Sequence, residues 1–464
     1  MEIKFDKDFI FGAATSSYQI EGAWDKDGKG PSIWDVFTHQ KGNIRNNDTG
    51  DTACAHYEKY REDIELMKEL NLKSYRFSVN WARIFPEGRG SINPKGLEFY
   101  DGLVDGLLDA GIEPNATLYH WELPYALHNE GGWENREIID DFAEYASFMF
   151  EHFKGRIKLW STFNETYVVA NLGYRMGVFA PGIKNEKKAV QVSHNLNIAH
   201  ARAVKKFREK EIPGKIGIVH CLTPVHEMED TPSCRHNAGL VDGMFNRWFM
   251  DPSFKGSYPE DIMKRFTEAG IAPQIENGDM EEIKKYKADW LGINYYFRTR
   301  VFDNRSPGGE FDWKKTVNIT PVKGARYTQM GWEVYPEGIY EILKHVSDNY
   351  NISEIYIAEN GAAMKDTEID DNGVVVDNDR LEYIKDHLEK CRKAIDEGVP
   401  LKGYYYWSLM DNFEWAHGYD PRFGIIRIDY DTLGRTIKKS GRWYAQVIKD
   451  SGFEKNDVKQ TAAT

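Results

Sequence analysis

The sequence predicts an α/β fold, a (β/α)8 TIM barrel in a single domain with long βα loops, on three observations. Eight short apolar runs, near residues 9, 75, 114, 159, 216, 291, 355 and 402, alternate with segments of helical period, and alternating strands and helices build a parallel sheet. No Pro/Ser linker, low-complexity stretch or clear internal repeat divides the 464 residues. Barrels reach beyond ~400 residues when their loops are long. Finally, polar, aromatic or charged residues close or follow the apolar runs, which is where a barrel carries its site. We expect one domain over residues 1–453 and a polar, frayed tail over residues 454–464. A doubly wound sheet is the competing architecture, but no G-x-G-x-x-G follows the first apolar run, as dinucleotide-binding forms of that sheet require.

The elements follow in order. Phe9 to Thr15 reads as the first strand, and Ser16 to Gly22 as a small-residue turn bearing Gln19. Lys26 to Asn47 is Gly-rich and polar and reads as a long loop. Its Gly28-Lys29-Gly30-Pro31-Ser32 lacks phosphate-loop spacing and reads as a turn. Helical spacing places Tyr57, Tyr60, Ile64, Met67 and Leu70 on one face between His56 and Leu70. Ser74 to Val79 is a strand holding Arg76; a helix over Gly96 to Ala110 leads to the strand Glu113 to Trp121, which carries His120 near its end. A helix near Arg136 to Phe153 precedes the strand that ends at Asn164 and Glu165, and one near Ala189 to Lys210 precedes Lys215 to His220. Trp290 to Tyr296, with Asn294 and Tyr296 at its end, comes next. Helices near Glu337 to Asn349 and Asn378 to Glu397 lead to the strands ending near Glu359 and Trp407. Asp371-Asn372-Gly373 is a turn signal in the loop after Glu359.

Composition excludes some classes. A net charge of −13 disfavours a broad nucleic-acid-binding face. No apolar stretch reaches the ~18–20 residues that span a bilayer, and the N-terminus carries acid where a signal peptide needs an apolar core. Cys54, Cys221, Cys234 and Cys391 are scattered without a C-x-x-C pair and read as reduced thiols, so a cytoplasmic location is expected. The 13 Trp and 26 Tyr fit either a large aromatic core or flat platforms for sugar rings, and composition does not separate the two.

The strand ends do more. Glu165 and Glu359 each close a buried apolar or aromatic run, and a carboxylate there is costly unless it is paired or used. Taken singly, His120 reads as a structural histidine, Arg76 as an ion-pair partner and Trp407 as core. The joint pattern over eight strand ends is harder to obtain by core filling alone. Two carboxylates across one cavity are what glycoside hydrolysis requires, one protonated as acid and one ionised as nucleophile or base, and mutual repulsion separates their pKa values when they are close.

The stretches Phe11-Gly12-Ala13-Ala14-Thr15-Ser16-Ser17-Tyr18-Gln19-Ile20-Glu21-Gly22, Tyr75-Arg76-Phe77-Ser78, Leu118-Tyr119-His120-Trp121, Thr162-Phe163-Asn164-Glu165, Asn294-Tyr295-Tyr296, Glu359-Asn360-Gly361 and Trp407-Ser408-Leu409-Met410-Asp411-Asn412-Phe413-Glu414-Trp415 resemble, in order, those of the β-glucosidases of glycoside hydrolase family 1. The resemblance runs from about Phe9 to Gly452. It implies retaining hydrolysis without metal or organic cofactor, with Glu165 as acid/base and Glu359 as nucleophile, supported by Arg76, Asn294 and Tyr296. It implies that Gln19, His120, Trp121, Asn164, Glu414 and Trp415 bind the non-reducing sugar, that Trp407 lies beneath it, and that Trp332 stands at the mouth. The expected substrates are small β-glucosides, cellobiose and short cello-oligosaccharides among them, with some β-galactosidase and β-fucosidase activity. The chain acts as a monomer or homo-oligomer on this reading. The alternatives are a 6-phospho-β-glucosidase, which Glu414 disfavours by repelling a 6-phosphate, and a non-catalytic sugar-binding barrel. The family pattern usually has Pro and Trp after the acid/base and Thr before the nucleophile; here Thr166, Tyr167 and Ala358 stand there. The first two changes leave the leaving-group preference open.

Overall fold

Eight parallel strands close into a barrel in chain order: β1 (Ile10–Ala14), β2 (Ser74–Ser78), β3 (Glu113–Tyr119), β4 (Leu159–Asn164), β5 (Lys215–Cys221), β6 (Trp290–Asn294), β7 (Ile355–Asn360) and β8 (Leu401–Trp407). The ring closes because β8 pairs with β1 through Trp407 and Ala14, and β6 pairs with β7 through Asn294 and Glu359. This computed structural model describes residues 2–303, 317 and 321–455.

The strands are buried on both faces, as a barrel wrapped in helices demands. Helix α1 (His56–Glu69) buries Tyr60, Ile64 and Met67 as its spacing predicts, while Tyr57 stays half-buried. Helix α2 (Pro94–Asp109) starts two residues before the expected point. Asn93 caps it by accepting from Lys95 N–H, and Pro94 supplies a fixed φ at its first position. Helices α3 (Ile138–His152), α4 (Glu186–Glu209), α5 (Trp248–Phe254), α6 (Glu337–Asn349), α7 (Asn378–Asp396) and α8 (Lys439–Asp450) complete the outer layer. Inside the barrel, Gly217 leaves room for the Trp290 ring, which a Cβ would meet at 2.3 Å.

Two expectations change. The stretch Lys26 to Asn47 is not one loop: Ile33–His39 is helical. Ser32 and Asp35 form a capping box there, and the buried Lys29–Asp35 pair holds it at 2.7 Å. The polar residues that read as loop are that helix's cap. The domain also extends one residue further than 453, since Gly452–Glu454 pairs antiparallel with Glu2–Lys4. The rest of the expected tail, from residue 456, lies outside the described residues. Among the described residues no helix is long and apolar enough to cross a membrane. All four cysteines are free.

A buried ion cluster braces the segment after β8. The Asp411 carboxylate accepts from Lys438 Nζ (2.7 Å), Arg422 Nη1 (2.8 Å) and Gly424 N–H (3.0 Å), and Lys438 also reaches Asp366 at 2.5 Å. Removing one partner of such a cluster strands buried charge. Lys438→Met is therefore expected to cost about 3–5 kcal/mol of stability, measured as a shift in urea midpoint. A change under 1 kcal/mol would show that the cluster does not hold this segment.

Candidate active site

The tips of β4 and β7 carry the two glutamates. The ladder continues one residue past Asn164, because Glu165 N–H bonds Val219 O at 2.8 Å, and the chain then turns into the short helix Thr166–Val168. Glu165 itself sits in the left-handed region at φ 50°; Trp121 (φ 87°) and Trp415 (φ 47°) share that strained conformation. Three such residues around one cavity mark a place where local geometry yields to the site. On β7, Asn360 is tied down by its amide to Tyr295 O (2.7 Å) and Tyr383 OH (2.9 Å). Gly361 lets the chain pass Trp407, whose carbonyl a Cβ would meet at 1.6 Å.

One hydrogen-bond chain links the predicted residues. Arg76 donates from Nη1 to Glu359 Oε1 at 2.7 Å and from Nη2 to Asn164 Oδ1 at 2.8 Å. Tyr296 OH donates to Glu359 Oε2 at 2.7 Å. Asn294 Nδ2 donates to Glu165 Oε1 at 2.6 Å and to Asn164 Oδ1 at 3.0 Å. A guanidinium can only donate, so the Asn164 oxygen faces Arg76 and its nitrogen faces His120 Nε2 at 3.1 Å. His120 Nε2 thus accepts, and its proton sits on Nδ1, a buried atom without a protein partner. Burial, aided by the charge of Arg76, drives the His120 pKa well down, so the ring is neutral.

The carboxyls are tuned apart. Burial above all, and then the charge of Glu359, pushes Glu165 up to about 8, with the Asn294 bond pulling partly back. Glu359 is also raised by burial, but Arg76 and Tyr296 act on it directly in the opposite sense. When the pair gives up its first proton, Glu359 is the group that loses it. Glu414 is pushed up to about 8 by burial and then by Glu359, with Gln19 pulling it partly back.

These groups line a cavity of about 470 Å³ at the carboxyl ends of the strands. Its lining includes Glu165, Glu359, Asn294, Tyr296, His120 and Glu414, with Trp121, Trp332, Trp407 and Trp415 as walls. The His120 ring lies near parallel to Trp407 and Trp415, 6.0 Å from each, and Trp121 packs 4.5 Å from Trp415. Trp332 stands beside Tyr296 at 5.2 Å. Gln19, Asn164 and Arg76 are almost fully buried directly beneath these residues. The Gln19 amide is held by Phe413 O (2.7 Å), Asn412 (3.0 Å) and Ser16 (2.6 Å). Tyr167, Phe245, Phe297, Met330 and Phe423 also line the cavity, and the sequence reading did not place them. Tyr167 carried a signal, as a departure from the family pattern; the others stand in long connections without periodicity. A second, larger concavity of about 720 Å³ involves Lys215, Asp289 and Glu354 at the amino ends of β5, β6 and β7, the barrel face where stability rather than chemistry resides.

The comparisons agree with this geometry. The glycosyl hydrolase family 1 profile matches residues 1–453. The chain is 48% identical to Beta-glucosidase A of Thermotoga maritima, covering 97% of this chain and 99% of that one. It is 46% identical to Beta-glucosidase A of Acetivibrio thermocellus, covering 97% and 100%. A solved family 1 β-glucosidase from Thermotoga maritima superposes with a TM-score of 0.92 at 46% identity, over 97% of this chain and all of that one. The chain belongs to glycosyl hydrolase family 1.

Proposed function

We propose that the chain is a retaining β-glucosidase that removes terminal non-reducing β-D-glucosyl residues from cello-oligosaccharides and from aryl or alkyl β-glucosides. The observation that carries this reading is the pair of buried glutamates at the tips of β4 and β7, facing one cavity, whose environments separate their proton affinities. Glu359, ionised against Arg76 and Tyr296, attacks the anomeric carbon. Glu165 gives its proton to the glycosidic oxygen as that bond breaks. Water then adds to the glycosyl ester, Glu165 takes its proton, and Glu359 leaves as carboxylate. The second proton of the Asn164 amide meets the sugar 2-hydroxyl, a contact that strengthens in the transition state. His120 Nδ1–H and Glu414 Oε2, both buried without protein partners, complete the hydroxyl set. Trp407 is the platform beneath the ring, and Trp332 stands at the mouth. The four free thiols support a cytoplasmic, reducing setting.

The test is the first product. Proton NMR of early hydrolysis is expected to show β-glucose before mutarotation, and α-glucose first would overturn the retaining scheme. The pH profile has a defined sign. Catalysis needs Glu165 protonated, so activity present below about 8 is lost as pH rises through that value. It also needs Glu359 ionised, so activity falls again on the acid side. With an activated aryl glucoside, Glu165→Gln is expected to abolish the alkaline limb; an unchanged limb would assign it to another group.

A further inference from the structure

The turn that carries Gln19 is capped from outside. Ser16 stands at the head of the helical turn Ser17–Ile20, yet its side chain makes no capping bond there. Its hydroxyl donates instead to Gln19 Oε1 at 2.6 Å. The buried Tyr18 N–H, an orphan of the first turn, donates to Glu122 Oε1 at 2.7 Å, and Ser17 Oγ donates to the same oxygen. Ser78, at the end of β2, completes the tie: Ser17 N–H donates to its Oγ at 2.8 Å, and that hydroxyl donates to Ser17 Oγ at 3.0 Å. One carboxyl group thus joins the exits of β1, β2 and β3. Glu122 is 1% exposed and follows the strained Trp121.

This turn is stitched to the segment after β8. Phe413 N–H donates to Gln19 O at 3.2 Å, and the Gln19 amide returns bonds to Phe413 O at 2.7 Å and Asn412 Oδ1 at 3.0 Å. The Tyr18 ring lies 11° from parallel to Trp415, 6.0 Å away. Glu414 stands between Phe413 and Trp415 in that segment, so a shift of the turn passes to the carboxylate that faces the sugar's 6-position. Resting on the β-glucosidase reading above, we propose that Glu122 is a positioning residue for recognition of the 6-hydroxyl. By capping the turn in place of Ser16 it leaves Ser16 to hold Gln19, and Gln19 holds Glu414. Burial pushes Glu122 up to about 8 against the pull of its Ser17 bond. Near neutral pH it therefore caps as a neutral acceptor, a role an amide oxygen can fill.

The test compares nitrophenyl β-D-glucoside with nitrophenyl β-D-xyloside, which differs only in lacking the hydroxymethyl arm. Glu122→Leu removes the acceptor and strands a buried donor, and is expected to lower the glucoside-to-xyloside ratio of kcat/KM by about tenfold. Glu122→Gln keeps an accepting oxygen and is expected to hold the ratio within about twofold of the unaltered enzyme. A merely structural role would lower the folded fraction and both rates alike, leaving the ratio unmoved. Ser17→Ala removes one of the two donors and leaves Tyr18 N–H on the carboxyl group. It is expected to narrow the ratio by about threefold, and it decides the question should the Leu variant not fold. A ratio unmoved in every variant that folds, or one that falls as far in Glu122→Gln as in Glu122→Leu, would overturn the role of Glu122. Unaltered enzyme that hydrolyses neither glycoside would instead overturn the β-glucosidase reading.

Discussion

Replacing Glu359 with glycine is expected to lower kcat on nitrophenyl β-glucoside by about 10⁴–10⁶-fold, the scale of nucleophile deletions elsewhere, and azide is expected to restore part of it. The reasoning starts from Arg76. It is 1% exposed and its Nη1 spends its bond on Glu359. Deleting the carboxylate leaves a buried cation facing an empty space of carboxylate size, which a small anion fills with favourable charge. From there azide attacks the anomeric carbon on the side opposite the leaving group. One displacement replaces two, so the product is α-glucosyl azide. At Glu165→Gly the geometry reverses. Glu359 still forms the glycosyl ester when the leaving group is activated, and azide enters from the vacated acid side to give β-glucosyl azide. The anomer of the azide thus assigns both roles at once. A β-azide from the Glu359 variant, with an α-azide from the Glu165 variant, would exchange them. The unpaired Arg76 carries a structural cost of about 3–5 kcal/mol, so the variant's thermal midpoint is measured with and without azide; binding should raise it.

The barrel was legible because its strands are short apolar runs separated by helices of clear period, as at His56–Glu69 and Glu337–Asn349. It became illegible where local capping overrides composition. Ser32 and Asp35 make a helix of a stretch that reads as loop, since each satisfies the backbone at its first turn. The floor of the site was legible for a related reason: a charged or polar residue at a buried strand end stands out against its neighbours. The order of the hydrogen bonds was not legible. That Asn164 sits between Arg76, Asn294 and His120, and so selects the His120 tautomer, depends on four strands bringing their ends to one point. The outer wall left still less trace. Phe245 and Phe423 are aromatic residues in long connections, indistinguishable in sequence from core, and only the barrel's closure brings them to the cavity. Gln19 is placed against the sugar by the sequence; in the structure its amide is held by Phe413, Asn412 and Ser16 beside Glu414, an arrangement that only the closed barrel reveals.

Glucoside phosphorylated at the 6-hydroxyl is expected to react at least about 10³-fold more slowly in kcat/KM than the free glucoside above pH 8. Two features of the cavity carry this. Among its described lining residues none is Lys or Arg, so a phosphate would be desolvated without the cation that normally receives it. Glu414 adds repulsion: two like charges 4 Å apart at an effective dielectric of 20 oppose each other by about 4 kcal/mol, about 10³-fold. The sign with pH follows from Glu414 being pushed up to about 8. Below that value it holds a proton and repels less; above it the full charge faces the phosphate. The free-to-phosphorylated ratio should therefore widen from pH 6 to pH 8.5, with the phosphate's own second ionisation near pH 6 acting in the same direction. Above pH 8, Glu414→Ser should lower kcat/KM on free glucoside by about 10²-fold, through the loss of hydrogen bonds to a charged acceptor worth about 1.5–3 kcal/mol each. It should narrow the ratio without inverting it, because no cation is gained. A phosphorylated glucoside that reacts faster than the free one in the unaltered enzyme would mean that the sugar's 6-position lies elsewhere than against Glu414, while the chemistry of Glu165 and Glu359 would stand unchanged.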